Sequence, residues 1–551
     1  MKRFLITALL LSMGCSAVFA SGKSEEKSSA AEAAQQPKIL KVMSKVAVTT
    51  MDNDVTASGG DFEVISNFMD GLKQLAPDGT VTNALCKSET ISEDGLTRTY
   101  TLRDDAVWSN GTPVTAHDFV FGWRRAVDPE TASEYSYFMY EVGHVKNAEA
   151  ISMGDLPLTD LGVKALDDYT FEVTLDTPIP YFDDILITPL FFPVNEAFYD
   201  SCQGAYATSP DTMLSNGAFI VTDYQPAAVM FSMKKNPTYY DADRIKIDGL
   251  QFQVMLDSQQ ALMSYENGDL DVAYVGGDQI DQVSGDPEFS TVPNGYLWYV
   301  LPNWDKVEKL KNKNLRLALS YALNRDEIVN SVVKDGSIPT YSLVPRGMAF
   351  DENGNDFTAE ENEYSDVCEY NTEKAAVYFS KALSELGVDA IDLELTCDDP
   401  SVQQNTAVVI KEQLEKALPG LHISLKVVPT KQRITNAING DFELVLERWG
   451  VSFTDPTNYL NIWTTGNMIN DGKWSNADYD ALLDEAITGS LATQPAKRWV
   501  ALKKAESIAM HEAMVFPLYV GANALMVQPN VKNLEVHSVG ITRVFKDVVI
   551  Q

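Results

Sequence analysis

Histidine and cysteine are scarce in this chain, with five of each among 551 residues. His117, His144, His422, His511 and His537 are scattered. His511-Glu512 has no second histidine four residues after the first, so the HExxH zinc helix is absent. Cys15, Cys86, Cys202, Cys368 and Cys397 never reach CxxC spacing, which excludes a zinc knuckle and a thioredoxin-like redox site. Basic charge is also in short supply: 43 Lys+Arg stand against 78 Asp+Glu, a formal net charge of −35. A protein that tracks nucleic-acid phosphates or sits on anionic lipid needs the opposite surface. There is no GxSxG elbow, Walker A loop or GxGxxG following a strand. The abundant carboxylates leave acid/base pairs open, but nothing demands an enzyme, and no metal or cofactor is expected. Long apolar runs are missing too, and no segment approaches membrane-spanning length.

What the chain does have begins at its start. Met1-Lys2-Arg3 precedes the apolar run Phe4–Leu11 and then small residues, the order of an export signal. Two readings of its end stand side by side. Val18-Phe19-Ala20 fits the small-x-Ala cleavage rule, making residues 1–20 a signal peptide. Gly14-Cys15 resembles the end of a lipobox, with Ser12 where Leu is usual, and would leave a lipid-modified Cys15. Residues 21–37 are small and polar without aromatics, a flexible tether. The protein is expected to be exported, either periplasmic or attached to the cell envelope.

The body mixes helical and strand periodicities. The spacing of Val64, Phe68, Leu72 and Leu75 predicts a helix over 63–75, and Thr115 caps a helix running to Arg125. Further helices are expected at 315–323, 326–333, 402–418 (stopped by Pro419-Gly420), 478–487 and 496–510. Strands are expected at 39–42, 97–103, 170–175 and 422–428. Helices and strands alternate along 551 residues, so the class is α/β, or mixed α+β, in several lobes.

Five blocks carry a resemblance. The first runs from Ser92-Glu-Asp-Gly95 through Tyr100-Thr-Leu-Arg103 to Val107-Trp-Ser-Asn-Gly-Thr-Pro-Val-Thr-Ala-His-Asp118. The others are Asn216-Gly217 with Lys235-Asn-Pro-Thr-Tyr-Tyr-Asp241; Gly268-Asp-Leu-Asp-Val272; Asn314-Leu-Arg-Leu-Ala-Leu-Ser-Tyr-Ala-Leu-Asn-Arg325; and Arg448-Trp-Gly450 with Asp455-Pro456. In this order they resemble the extracytoplasmic solute-binding proteins of peptide ABC importers, the oligopeptide- and dipeptide-binding family. Most of these residues also read as scaffold: Asn110-Gly111 suits a turn and Thr115 a helix cap. The resemblance implies a two-lobed periplasmic-binding-protein clamp with an additional inserted domain. The first lobe falls at 38–82, 192–296 and 518–551, the additional domain at 83–191, and the second lobe at 297–517. It implies an oligopeptide or other small solute as ligand, a membrane permease as partner, and a monomer.

In the family a peptide lies extended between the lobes, bonded through its backbone. By resemblance, one rail is the loop Ala57-Ser58-Gly59-Gly60-Asp61 and the other is Arg448-Trp449-Gly450-Val451-Ser452. Peptide-binding members usually carry an Asp three residues after this Trp, which anchors the ligand's ammonium; here it is Ser452. Removing one partner of a buried charge pair costs about 2–5 kcal/mol. Asp61 or Asp455 could supply the missing carboxylate, although Asp455 also reads as a turn residue before Pro456. Otherwise the ligand lacks a free ammonium, and an oligosaccharide, an opine-like molecule or a metal chelate becomes the alternative.

Overall fold

The computed structural model describes residues 36–277, 279–351, 353–358 and 364–551. Both readings of the export signal, and most of the tether, lie outside the described residues. Among the described residues no helix is long and apolar enough to cross a membrane. The classes expected from the sequence are present: helices and strands mix, and one sheet of eleven strands forms the backbone of the molecule.

From one edge, that sheet runs Leu421–Val428, Ile391–Asp398, Leu444–Trp449, Phe289–Pro302, Phe516–Val527, Val272–Val275, Ile39–Ser44, Gly249–Val254, Met230–Lys235 and Phe219–Asp223. The short strand Ile338–Pro339 pairs off this path with Phe516–Val527. Val272–Val275 is buried at every position, as expected for a central strand covered on both faces. Two hydrophobic cores flank the middle of the sheet. One collects side chains from 40–283, 524–548 and the outlying Phe453. The other is built from 297–520.

The strands Phe289–Pro302 and Phe516–Val527 pass from one core to the other and pair antiparallel. Their register shifts between Pro293 and Leu297, so Asn294–Tyr296 drop out of the ladder. Pro293 has no N–H to give, and Gly295 takes a φ of +70° that a side chain would resist. These crossings coincide with the prolines at 293, 302 and 517.

A four-stranded antiparallel sheet, in the order Cys86–Ile91, Thr97–Leu102, Thr170–Thr174, Val163–Asp167, joins the first core. The helix Ala116–Val127 covers it. Thr115 and Asp118 form a reciprocal capping box at its start. Trp123 meets Phe171 edge-on at 5.2 Å and donates its indole N–H to the Phe191 carbonyl at 2.9 Å. Trp108 is buried and donates to Asp118 at 3.3 Å, so this block of the sequence is packing.

One helix differs from expectation. It spans Gly59–Phe68, and Lys73–Leu75 then forms a strand with Val81–Asn83. The helix stops because Asp70 is claimed elsewhere: its carboxylate receives Lys546 Nζ at 2.7 Å and the hydroxyls of Tyr239 and Tyr240 at 2.9 Å each. A tertiary network overrides the local apolar spacing. Cys86, Cys202 and Cys397 are free thiols.

Candidate functional site

In sheets containing parallel strands, ligand crevices open beyond the carboxyl ends. In the first half, Ile39–Ser44 runs parallel to both Gly249–Val254 and Val272–Val275. In the second, Ile391–Asp398 runs parallel to Leu421–Val428 and Leu444–Trp449. The chain leaves the first group at Lys45-Val46-Ala47, all exposed, and the second at Gly450-Val451-Ser452.

The expected loop around Ser58 is instead the start of a helix. Ser58 occupies the N-cap position, and Gly59, Gly60 and Asp61 form the first turn. A Cβ on Gly60 would lie 2.3 Å from Val46 Cγ2, so that glycine makes room for Val46, whereas a Cβ on Gly59 would meet nothing within 4 Å. Asp61 is 0% exposed. Its carboxylate accepts the Thr49 N–H at 3.0 Å, the Thr50 N–H at 3.2 Å and the Thr56 hydroxyl at 2.8 Å, with the Thr49 hydroxyl a fourth donor. It pins the 49–56 loop to the helix and has no capacity left for a ligand ammonium.

The segment read by resemblance as the second rail starts in the last two residues of the strand Leu444–Trp449 and continues beyond its end. Arg448 is exposed, its guanidinium 4.9 Å from the Tyr296 ring centre and 5.2 Å from that of Trp298. Trp449 is half-buried and donates its indole N–H to the Asn458 carbonyl at 2.9 Å. Gly450 lies under the Tyr296 ring, where a Cβ would come within 2.3 Å of a ring carbon. Val451 packs toward Gly295. Ser452 Oγ lies 3.3 Å from the Tyr135 hydroxyl. Beyond it, Phe453 leaves its own half, stacking on Tyr181 at 4.7 Å and meeting Phe138 at 6.4 Å. Ser452 thus sits where three parts of the chain converge.

Asp455, the other candidate carboxylate, is engaged as well. Arg498 grips it with bonds of 2.7 and 2.8 Å, and the Thr457 N–H donates at 2.9 Å. Burial is the largest single influence and works against its ionisation, but the Arg498 charge together with the hydrogen bonds from Arg498 and Thr457 outweighs it and holds the carboxyl below its ordinary value. Asp455 is the turn residue before Pro456. Tyr459 and Trp463 further on are core side chains.

A cavity of about 380 Å³ borders this segment. Its walls include Tyr181, Asp184, Phe350, Asp455, Arg498 and Trp499. Burial, then the nearby Asp455 and Asp183 charges, push the Asp184 carboxyl up to about 7. Lys45, Tyr135, Tyr296, Phe453 and Asp184 were not singled out by sequence reasoning. The signal that could have found Lys45 is its position just past the carboxyl end of the first strand. Among the described residues, no group of three or more His, Cys, Asp or Glu side chains could hold a metal ion.

Comparison with known proteins agrees with this layout. The chain is 34% identical to a dipeptide-binding protein of Lactococcus lactis over 518 residues, 92% of this chain and 93% of that one. Its fold matches Listeria monocytogenes OppA bound to peptide, with a TM-score of 0.75 and 32% identity over 94% of this chain and 100% of that one. It also matches the substrate-binding domain of an oligopeptide ABC transporter from Bacillus anthracis, with a TM-score of 0.77 and 30% identity over 94% and 99%. The family model of the bacterial extracellular solute-binding proteins, family 5, middle part, covers residues 80–471. With two cores bridged by a pair of crossing strands, a family model matching residues 80–471 and a relative 34% identical over 92% of this chain, the chain belongs to the bacterial extracellular solute-binding proteins of family 5.

Proposed function

We propose that this protein is the extracytoplasmic substrate-binding component of an ABC importer, capturing oligopeptides between its halves and delivering them to a membrane permease. It binds and releases without chemistry. The observation that carries this reading is the exposed chain at Lys45–Ala47 and the half-buried chain at Gly450–Ser452. These are two carboxyl-end segments from different halves that an extended ligand backbone could bridge with main-chain hydrogen bonds. The halves act as lobes at 38–82 with 192–296 and 518–551, and at 297–517, with 83–191 as the additional domain. Pro293–Tyr296 and Gly521 serve as the hinge, since the ladder there is already interrupted. The protein works outside the cytoplasm as a monomer, held by its tether if Cys15 carries lipid.

Native mass spectrometry of protein purified without denaturation tests this. Co-purifying peptides of mixed sequence are expected. A single non-peptide mass overturns the peptide reading and turns attention to Ser452 as the mark of a different solute.

A further inference from the structure

The cavity of about 380 Å³ beside Asp455 is lined by none of the residues on either proposed rail, nor by Lys45–Ala47. Its walls come from both halves. Tyr181 belongs to the first core, while Trp499 packs against the second. Arg498 lies 5.8 Å from the Tyr181 ring centre, and Phe453 stacks on that ring at 4.7 Å, so the two halves meet along this wall. Besides the rings of Tyr181 and Trp499, the lining carries the carboxylates of Asp184, Asp351 and Asp455 against a single cation, Arg498.

Most charges here are already matched. Arg498 holds Asp455 with bonds of 2.7 and 2.8 Å and gives its Nε–H to the Ala486 carbonyl. The Asp351 carboxylate accepts the Asn353 and Asn355 N–H groups of its own loop at 2.9 and 2.8 Å. Asp183 faces Lys73 at 3.1 Å and Arg98 at 3.2 Å. Asp184 is the exception. Among the described residues its carboxylate has no hydrogen bond and no ion pair, although it is half-buried. Burial, then the Asp455 and Asp183 charges, favour its neutral form, and Lys73 works against them. An unmatched carboxylate pressed by its own protein's negative charge is satisfied by an incoming cation. Aromatic rings beside it add a cation–π attraction that strengthens where water is excluded.

We propose that this cavity binds a small organic cation, an ammonium or guanidinium group on an apolar body, with Asp184 as its counter-ion and Tyr181 and Trp499 as its walls. No rail residue takes part, and the inference does not depend on the peptide reading. An occupant touches both halves at once, so it favours the arrangement in which they meet. The same charged group could arrive on a free amine or on the Lys or Arg side chain of a bound peptide.

Calorimetry with phenethylammonium, and with phenethyl alcohol as its uncharged counterpart, tests the site. The cation should bind the wild type about ten-fold or more tighter than the alcohol, and the ratio should fall below about three-fold in Asp184→Asn. Trp499→Leu should weaken the cation more than the alcohol. Asp184 is only partly ionised at pH 7, so binding there should release a proton, read as a heat that varies with the buffer's ionisation enthalpy; Asp184→Asn should abolish that variation. The ratio in wild type should grow from about pH 5.5 to about pH 8, as the carboxyl ionises. Thermal melts identify any variant that fails to fold, and the proton release is read on the wild type alone. N-acetylated, amidated alanine peptides with a central Lys or norleucine then separate the sources. A Lys preference that vanishes in Asp184→Asn assigns the cation to a ligand side chain, and its absence assigns it to a free amine. No binding of phenethylammonium, equal affinities for it and the alcohol, or a charge preference unchanged in Asp184→Asn overturns the site and leaves the peptide reading intact.

Discussion

Asp455 presents a sharp choice between ligand anchor and scaffold, and its replacement by Asn decides it. The Asp455 and Arg498 side chains are only 11% and 6% exposed. Arg498 also donates through Nε to the Ala486 carbonyl at 2.9 Å, so it cannot swing out to water without breaking that bond too. Removing one member of a buried ion pair typically costs about 3–5 kcal/mol. The Asn oxygen can still accept one N–H, which points to the lower end, about 3 kcal/mol. At a urea slope of about 3 kcal/mol/M, the unfolding midpoint should fall by about 1 M. Adding Arg498→Met should recover most of the loss, because the stranded cation is gone. The folded carboxyl lies below its unfolded value, so its contribution is present at neutral pH and disappears as pH falls below about 4. The gap between wild type and Asp455→Asn should therefore close in acid. A midpoint unchanged within about 0.2 M, together with a selective loss of ligands bearing a free ammonium, would refute the scaffold assignment.

Three other perturbations follow from the same geometry. Ser452→Asp places a carboxylate beside the Tyr135 hydroxyl and should tighten free N-terminal peptides by about ten-fold or more over their N-acetylated forms; weaker binding by calorimetry means the rail register is wrong. Asp184→Asn should raise the melting temperature at pH 8 but not at pH 4. A carboxyl raised to about 7 in the folded state loses stability as pH climbs from about 4 to 7, and the amide does not; equal melts at pH 8 contradict the assignment. Phe453→Ala empties the stack on Tyr181 and should cost about 3–4 kcal/mol, with faster amide exchange around Tyr135–Phe138 and Tyr181; unchanged exchange there would show that the ring does not hold the halves together.

Much of the fold was legible where the information is local. The helix starting after Thr115 announces itself by a cap, and the helix Ser401–Ala417 ends against Pro419-Gly420. The helix expected to reach Leu75 failed because its stop signal, the Asp70–Lys546 pair, spans 476 residues. Asp61 and Asp455 looked available for the same reason. Their partners Thr49 and Arg498 lie 12 and 43 residues away, and no periodicity reveals them. The motif at Arg448–Ser452 was found by resemblance. Lys45 was missed because its meaning comes from Asn523 and Tyr274, which only the folded sheet brings near.

The make-up of the two cores also dictates an order of assembly. The second core comes from one continuous stretch, 297–520, and has all its parts as soon as that stretch is available. The first lacks an essential strand until 524–527 pairs with Val272–Val275, and lacks the partner of buried Glu63 until Arg543 arrives. A chain crossing a membrane from its N-terminus would therefore complete its later half before its earlier one. Until the last thirty or so residues emerge, the apolar face of 40–283 stays uncovered, a window in which a chaperone or a protease would find it.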